Sequence, residues 1–217
     1  MDKCEFLPSG EKVFSSPDVF KIGTDSFFLA DFVRAGKSMR AIDLGAGTGV
    51  LGLALSKRVK SCLLVDNSEA AYTLINKNIA LNGLSERYSA MLCDVSKLPA
   101  ELNDAFDIAV TNPPYYEDGS GKMPATKEMA AARHGDFKSF ITAAAKVIKY
   151  GGLLFAVCPA QRLFEFSEIS SDAGLSIKRI RFIKKDSKSS PHAVLIEAKK
   201  GARQGVITEP DIITKEL

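Results

Sequence analysis

The stretch Val110-Thr-Asn-Pro-Pro-Tyr-Tyr116 sets an uncharged amide, two prolines and two aromatic rings directly after the apolar run Phe106-Asp-Ile-Ala-Val110. The run reads as a strand, and the prolines end it, because each fixes φ and lacks an N–H. On such a rigid corner a side-chain amide oxygen and a backbone carbonyl can accept both N–H bonds of an exocyclic amine. Two acceptors favour tetrahedral nitrogen, so the lone pair that a heteroaromatic ring delocalises becomes available to an electrophile. Asn112 and the Pro113 carbonyl are the expected acceptors. Pro113 and Pro114 are the frame, and Tyr115 offers a flat face for stacking. Tyr116 is a second stacking ring or a packing residue. No charged base is needed, since the nitrogen sheds its proton readily after reaction. Preorganised hydrogen bonds of this kind contribute about 3–4 kcal/mol to lowering a barrier. Taken alone, the same residues also describe a strand-terminating turn.

A second stretch supplies the context. Asp43-Leu-Gly-Ala-Gly-Thr-Gly49 leaves a strand and enters a helix. Glycines at 45, 47 and 49 let the backbone turn tightly and approach a ligand. The dinucleotide fingerprint G-x-G-x-x-G fails at Val50, and no Gly-Lys-Ser/Thr follows, so neither that motif nor a P-loop is present. Asp43 would repel a pyrophosphate and welcome an ammonium or sulfonium centre; S-adenosylmethionine carries both. Asp66 ends the next strand, Leu63-Leu-Val-Asp66, about 20 residues on, the spacing at which an acid meets ribose hydroxyls. Asp94 ends a third strand, where it could accept from an adenine amino group. Singly, these acids also read as helix caps or solvated loop residues. As an ordered set at the carboxyl ends of successive strands they describe a cofactor site. With their neighbours, the expected cofactor-binding residues here are Asp43, Gly45, Ala46, Gly47, Asp66, Asn67, Asp94, Val95 and Asn112.

These residues need a scaffold that brings several strand ends to one edge. The sequence predicts a hairpin over Glu11–Phe20 and a helix over Ser26–Ala35 capped by Asp25. Strands then alternate with helices: Arg40–Leu44, Ser61–Val65, Tyr88–Leu92, Phe106–Thr111 and Gly152–Cys158 as strands; Val50–Lys57, Glu69–Asn82, Lys138–Val147 and Arg162–Ala173 as helices. Ser176–Ile183 and Ala193–Lys199 close the pattern as an antiparallel pair. The expectation is an α/β fold, a mostly parallel seven-stranded sheet with an antiparallel terminal strand and helices on both faces. A single domain over residues 1–217 is expected, with 1–36 forming a hairpin and helix ahead of the core. Glu117–Ala132 is read as a loop, or a loop and a helix start.

Composition agrees with a soluble globular chain: 46% apolar and 25% charged among 217 residues. No apolar run approaches the roughly 18–20 residues of a membrane helix, and no signal peptide opens the chain. Cys4, Cys62, Cys93 and Cys158 form no CxxC pair and read as free thiols of a reducing cytoplasm. With His134 and His192 the only histidines, no metal site is expected. A monomer is assumed.

The set DLGAGTG, LLVD, LCD and NPPYY resembles class I S-adenosylmethionine-dependent amino-methyltransferases, whose core is Rossmann-like. More narrowly, Lys21-Ile-Gly-Thr-Asp-Ser-Phe-Phe-Leu-Ala30, Ala132-Arg-His134 and the tail Gly201–Ile213 resemble a bacterial family that methylates N6 of the adenosine just 3′ of the anticodon in a valine tRNA. The resemblance covers most of the chain. It departs at Phe27-Phe28, where the family more often has smaller or aliphatic side chains. It implies that Gly23 and Thr24 lie near the methionine end of the cofactor, with Asp25. NPPY is shared with protein-glutamine, DNA-adenine and RNA-guanine methylases, so an RNA guanine-N2 or a protein-glutamine acceptor stays open. With the glycine loop starting at Asp43, neither the helical domain of glutamine methylases of release factors nor a DNA target-recognition domain is expected. The expected partner is tRNA, its target base flipped out. Lys178, Arg179, Arg181, Lys184 and Lys185 crowd one hairpin, which reads as a phosphate-binding patch or as a solvated, edge-protecting face. Arg133 and His134 are candidate contacts to the target nucleotide, or residues that cap or pack a loop. His134 as a general base is not required by the chemistry.

Overall fold

The computed structural model describes residues 3–16, 19, 23–113 and 137–216. Its centre is a sheet of β3 (Arg40–Leu44), β4 (Ser61–Asp66), β5 (Tyr88–Leu92), β6 (Phe106–Thr111), β7 (Ile148–Pro159), β8 (Leu175–Lys184) and β9 (Ala193–Lys200). The spatial order is β5-β4-β3-β6-β7-β9-β8. All neighbours pair in parallel except β9, which runs antiparallel between β7 and β8. This is the mostly parallel Rossmann-like sheet with helices that the alternation predicts. The order reverses between β3 and β6, and open sheets of this type bind ligands outside the carboxyl ends of the strands at such a point.

Side chains alternate between two faces, as strand geometry requires. Ala41, Ile108, Val110, Phe155 and Val157 pack with α1 (Thr24–Phe32) and α2 (Val50–Ala54), and with part of α3 (Glu69–Leu81). Ile42, Leu44, Leu154 and Ala156 pack on the other face with α4 (Phe137–Val147) and Phe166 of α5 (Leu163–Asp172). Two further strands, β10 (Ile207–Thr208) and β11 (Ile212–Ile213), pair in parallel along β8 and extend the sheet beyond the seven expected strands. Such two-residue strands carry no periodicity of their own to announce them.

A hairpin joins β1 (Lys3–Phe6) to β2 (Lys12–Ser15), ahead of the one expected over Glu11–Phe20, of which Pro17, Asp18 and Phe20 lie outside the described residues. The turn is Leu7-Pro-Ser-Gly-Glu11, closed by Leu7 N–H donating to Glu11 O and by Gly10 at φ +99°. The second strand of the hairpin, β2, docks through two amides one helical turn apart, one in α3 and one at its C-cap. Asn78 and Asn82 each accept from and donate to the β2 backbone, at Phe14 and Lys12, as a neighbouring strand would. The first helix also starts earlier than expected, at Thr24 with Gly23 as N-cap in place of Asp25. No helix among the described residues is long and apolar enough to cross a membrane.

Candidate active site

The glycine loop links β3 to α2. Gly45 and Ala46 N–H both donate to Val65 O, and Gly47 N–H donates to the Asp66 carboxylate at 2.8 Å. The loop therefore hangs on the carboxyl end of β4. Gly45 sits at φ +73°, and a Cβ there would lie 2.8 Å from the Phe140 ring. Gly47 sits at φ +55° with nothing within 4 Å of where a Cβ would be. The first glycine is needed for packing; the second opens onto free space beside Asp66. From behind, the fully buried Asn78 donates to Thr48 O at 2.9 Å and ties the loop to α3.

Asp43 differs from its expected place on the site surface. It is 1% exposed, beneath α2, and one carboxylate oxygen accepts from Gly52 N–H at 2.8 Å. Burial pushes its pKa up to about 7, with the neighbouring Asp66 adding to the rise. Asp66 itself is part-exposed and also accepts from Ser68 N–H; burial raises its pKa while these donors oppose the rise. A carboxylate offers about four lone-pair directions, so two backbone donors leave Asp66 able to accept from ligand hydroxyls. Asn67, next along, is exposed. Asp94 caps the single turn Val95–Lys97, one oxygen accepting from Ser96 N–H and Oγ–H, and these donors hold its pKa down. Glycine loop, Asp66 and Asp94 thus lie along one edge, at the ends of β3, β4 and β5.

Asn112 stands just beyond β6, the strand beside β3 at the reversal point. Thr111 O–H donates to Leu44 O at 2.8 Å and locks the two strand ends together. The Asn112 side chain donates from Nδ2 to Ser26 Oγ of α1 at 3.0 Å. Its Oδ1 is buried and finds no donor among the described residues. An unpaired buried acceptor costs about 1–3 kcal/mol, so a donor brought to this oxygen would be stabilising. Pro113 is buried beside it. Ser26 was not among the residues singled out from sequence; a serine in an N-terminal helical turn has no local signature of a contact 86 positions away. Pro114, Tyr115, Tyr116, Arg133, His134 and segment 117–132 lie outside the described residues.

Gly23 and Thr24 open α1 directly before Ser26, which brings them to the same edge. Phe27 and Phe28 are part-buried and pack on the core under α1, so the aromatic departure is absorbed there.

The basic hairpin requires correction. Arg179 is 4% exposed, donates to Glu197 and Glu209, and donates to Phe32 O at the end of α1. Its guanidinium stacks 3.7 Å from the Phe32 ring centroid. Its charge is turned inward, away from any phosphate. Lys184 pairs with Asp211, Arg181 donates to Pro210 O, and Lys178 donates to Arg203 O. Those three bind the C-terminal segment along β8. Lys185 is exposed at the carboxyl end of β8.

The profile of the methyltransferase small domain matches residues 7–169. The chain belongs to the methyltransferase small domain family. It is a methyltransferase that uses S-adenosylmethionine, and the open glycine loop beside Asp66 fits that cofactor. The chain is 29% identical over 181 residues to a tRNA1(Val) (adenine(37)-N6)-methyltransferase of Escherichia coli O157:H7, covering 81% of this chain and 74% of that one. Its likeness to the protein of that name in Escherichia fergusonii is 30% over 183 residues, with the same coverage. Among solved structures, a T. thermophilus 16S rRNA N2 G1207 methyltransferase, in complex with AdoMet and guanosine, superposes with a TM-score of 0.67 at 21% identity, over 92% of this chain and 50% of that one. A predicted O-methyltransferase of Agrobacterium tumefaciens gives 0.66 at 22%, over 87% and 86%. Among the described residues of this methyltransferase, no group of three His, Cys, Asp or Glu side chains gathers as metal ligands would.

Proposed function

We propose that this methyltransferase modifies N6 of an adenine in tRNA, the adenosine beside the anticodon of a valine tRNA. The observation that carries an amine acceptor is Asn112 Oδ1, buried, unpaired among the described residues and held at the end of β6. The named relatives supply the choice of adenine and of tRNA.

When bound, S-adenosylmethionine supplies an electrophilic methyl group on a sulfonium. Asp66 and the Gly45–Gly47 loop would hold the cofactor's sugar side, Asp94 and Val95 would border the adenine, and Gly23 and Thr24 would lie at the methionine end. Asn112 Oδ1 and the Pro113 carbonyl accept the two N–H bonds of the target amine. That turns the nitrogen lone pair toward the methyl group. The methyl would pass to nitrogen as its bond to the sulfonium sulfur breaks, leaving a neutral thioether, and the methylated nitrogen would release one proton to solvent. Tyr115, by its place in the NPPY motif, stacks on the flipped base. A cytoplasmic location follows from a tRNA substrate.

The test is nucleoside mass spectrometry of total tRNA from cells with and without the protein. Loss of N6-methyladenosine, restored by the wild type and not by Asn112→Ala, is the expected result. Loss of N2-methylguanosine instead would transfer the assignment to guanine. Unchanged tRNA, with radiolabel passing to protease-sensitive material, would transfer it to glutamine.

A further inference from the structure

We infer that Ser26 is a positioning residue that holds the Asn112 amide with Oδ1 as its unpaired end. A side-chain amide has a donor end and an acceptor end of nearly equal shape, and a flip exchanges them. Turned the wrong way, Asn112 would present N–H to the N–H of its target, and the amine would lose an acceptor. Ser26 Oγ, on a residue only 7% exposed, accepts from Asn112 Nδ2 at 3.0 Å, and Oδ1 is left as the unpaired end.

The position of Ser26 is itself fixed from the far end of α1. Arg58 donates to Ala30 O and Val33 O, Arg179 donates to Phe32 O, and the Phe32 ring packs edge-on against Phe155 of β7. Two cations on the last carbonyls of a nine-residue helix complement its dipole as well as satisfying its orphan acceptors. Helix α1 is thus held at its C-terminal end, and its N-terminal turn carries the hydroxyl to the amide.

This inference rests on Asn112 being the amine acceptor. Its test compares Ser26→Ala, Ser26→Thr and Ser26→Val in the full chain, each alone and with Asn112→Ala, using tRNA from cells that lack the protein. Ser26→Ala and Ser26→Val are expected to lower kcat by about 10-fold or more, with cofactor Kd and the KM for tRNA within about twofold of wild type. Ser26→Thr keeps a hydroxyl and is expected to retain most of the rate, so the Thr and Val pair separates the hydroxyl from the volume. In the Asn112→Ala background Ser26→Ala is expected to change nothing further. Wild-type kcat in Ser26→Ala and Ser26→Val, with Asn112→Ala inactive, overturns the role of Ser26 and leaves the amine reading standing. Full activity in Asn112→Ala overturns that reading and this inference with it.

Discussion

Asp43 is a carboxyl whose burial costs the fold stability. In an unfolded chain a carboxyl titrates near about 3.9, and here burial raises it to about 7. Below about pH 4 both states hold the proton and the group's stabilising contribution is fully present. As pH rises toward 7 the unfolded state releases its proton first, so that contribution is lost. The wild type is therefore expected to lose on the order of a few kcal/mol relative to Asp43→Asn between pH 4 and pH 8, measured by urea unfolding at intervals across that range. Parallel pH profiles for the two proteins would show that Asp43 titrates normally. The variant is also expected to bind the cofactor more weakly, because a neutral amide attracts a cation less than a carboxylate. The type and place of Asp43 at a strand end were legible from sequence. Its burial under α2 was not, because the Gly52 N–H that it accepts from is brought over it only when the glycine loop folds back.

Among the elements, α1 and the C-terminal segment are joined by a single guanidinium. Arg179 links β8 to Glu197 on β9, to Glu209 in the tail and to the end of α1. A buried charge pair contributes little net stability when intact, yet removing one partner strands the other. Arg179→Ala is expected to cost about 3–5 kcal/mol in denaturant unfolding, most of it recovered when Glu197 is made apolar as well. A loss below about 1 kcal/mol in the single variant would show that the network is dispensable. The sequence offered Arg179 as one of several basic residues in a row, and nothing local separates an arginine that points inward from one that points to solvent. Alternation along β8 does not help, since the adjacent Arg179 and Ile180 are both buried, past a register shift between Ile177 and Arg179. That irregularity exists only in the paired strands.

For the molecule as a whole, strand direction divides the basic hairpin into two regions. Because β8 runs parallel to β3 and β6 within the sheet, Lys185 lies at the carboxyl edge with Asn112, and Lys178 lies about 20 Å back along the strand. A phosphate contact near the site should come from the first and not the second. Lys185→Ala is expected to weaken tRNA binding and to reduce the slope of log K against log salt by about 1, while Lys178→Ala leaves both unchanged. Equal effects from the two, read by filter binding over a salt series, would mean that the patch acts as diffuse charge.

What the sequence determined by itself is local and periodic. The alternation of apolar runs with amphipathic stretches dictated a parallel α/β sheet; the glycines dictated a tight loop; the paired prolines dictated where β6 stops. Those signals lie within a few residues of each other, so one chain carries them without reference to its fold. The tertiary structure alone decided the contacts that span distant segments: Ser26 on Asn112, Asn78 behind the glycine loop, and Arg179 between two acids and a helix end. A side chain's hydrogen-bond partner is set by the packing of whole elements, and a sequence states which groups can bond without stating which of them will meet.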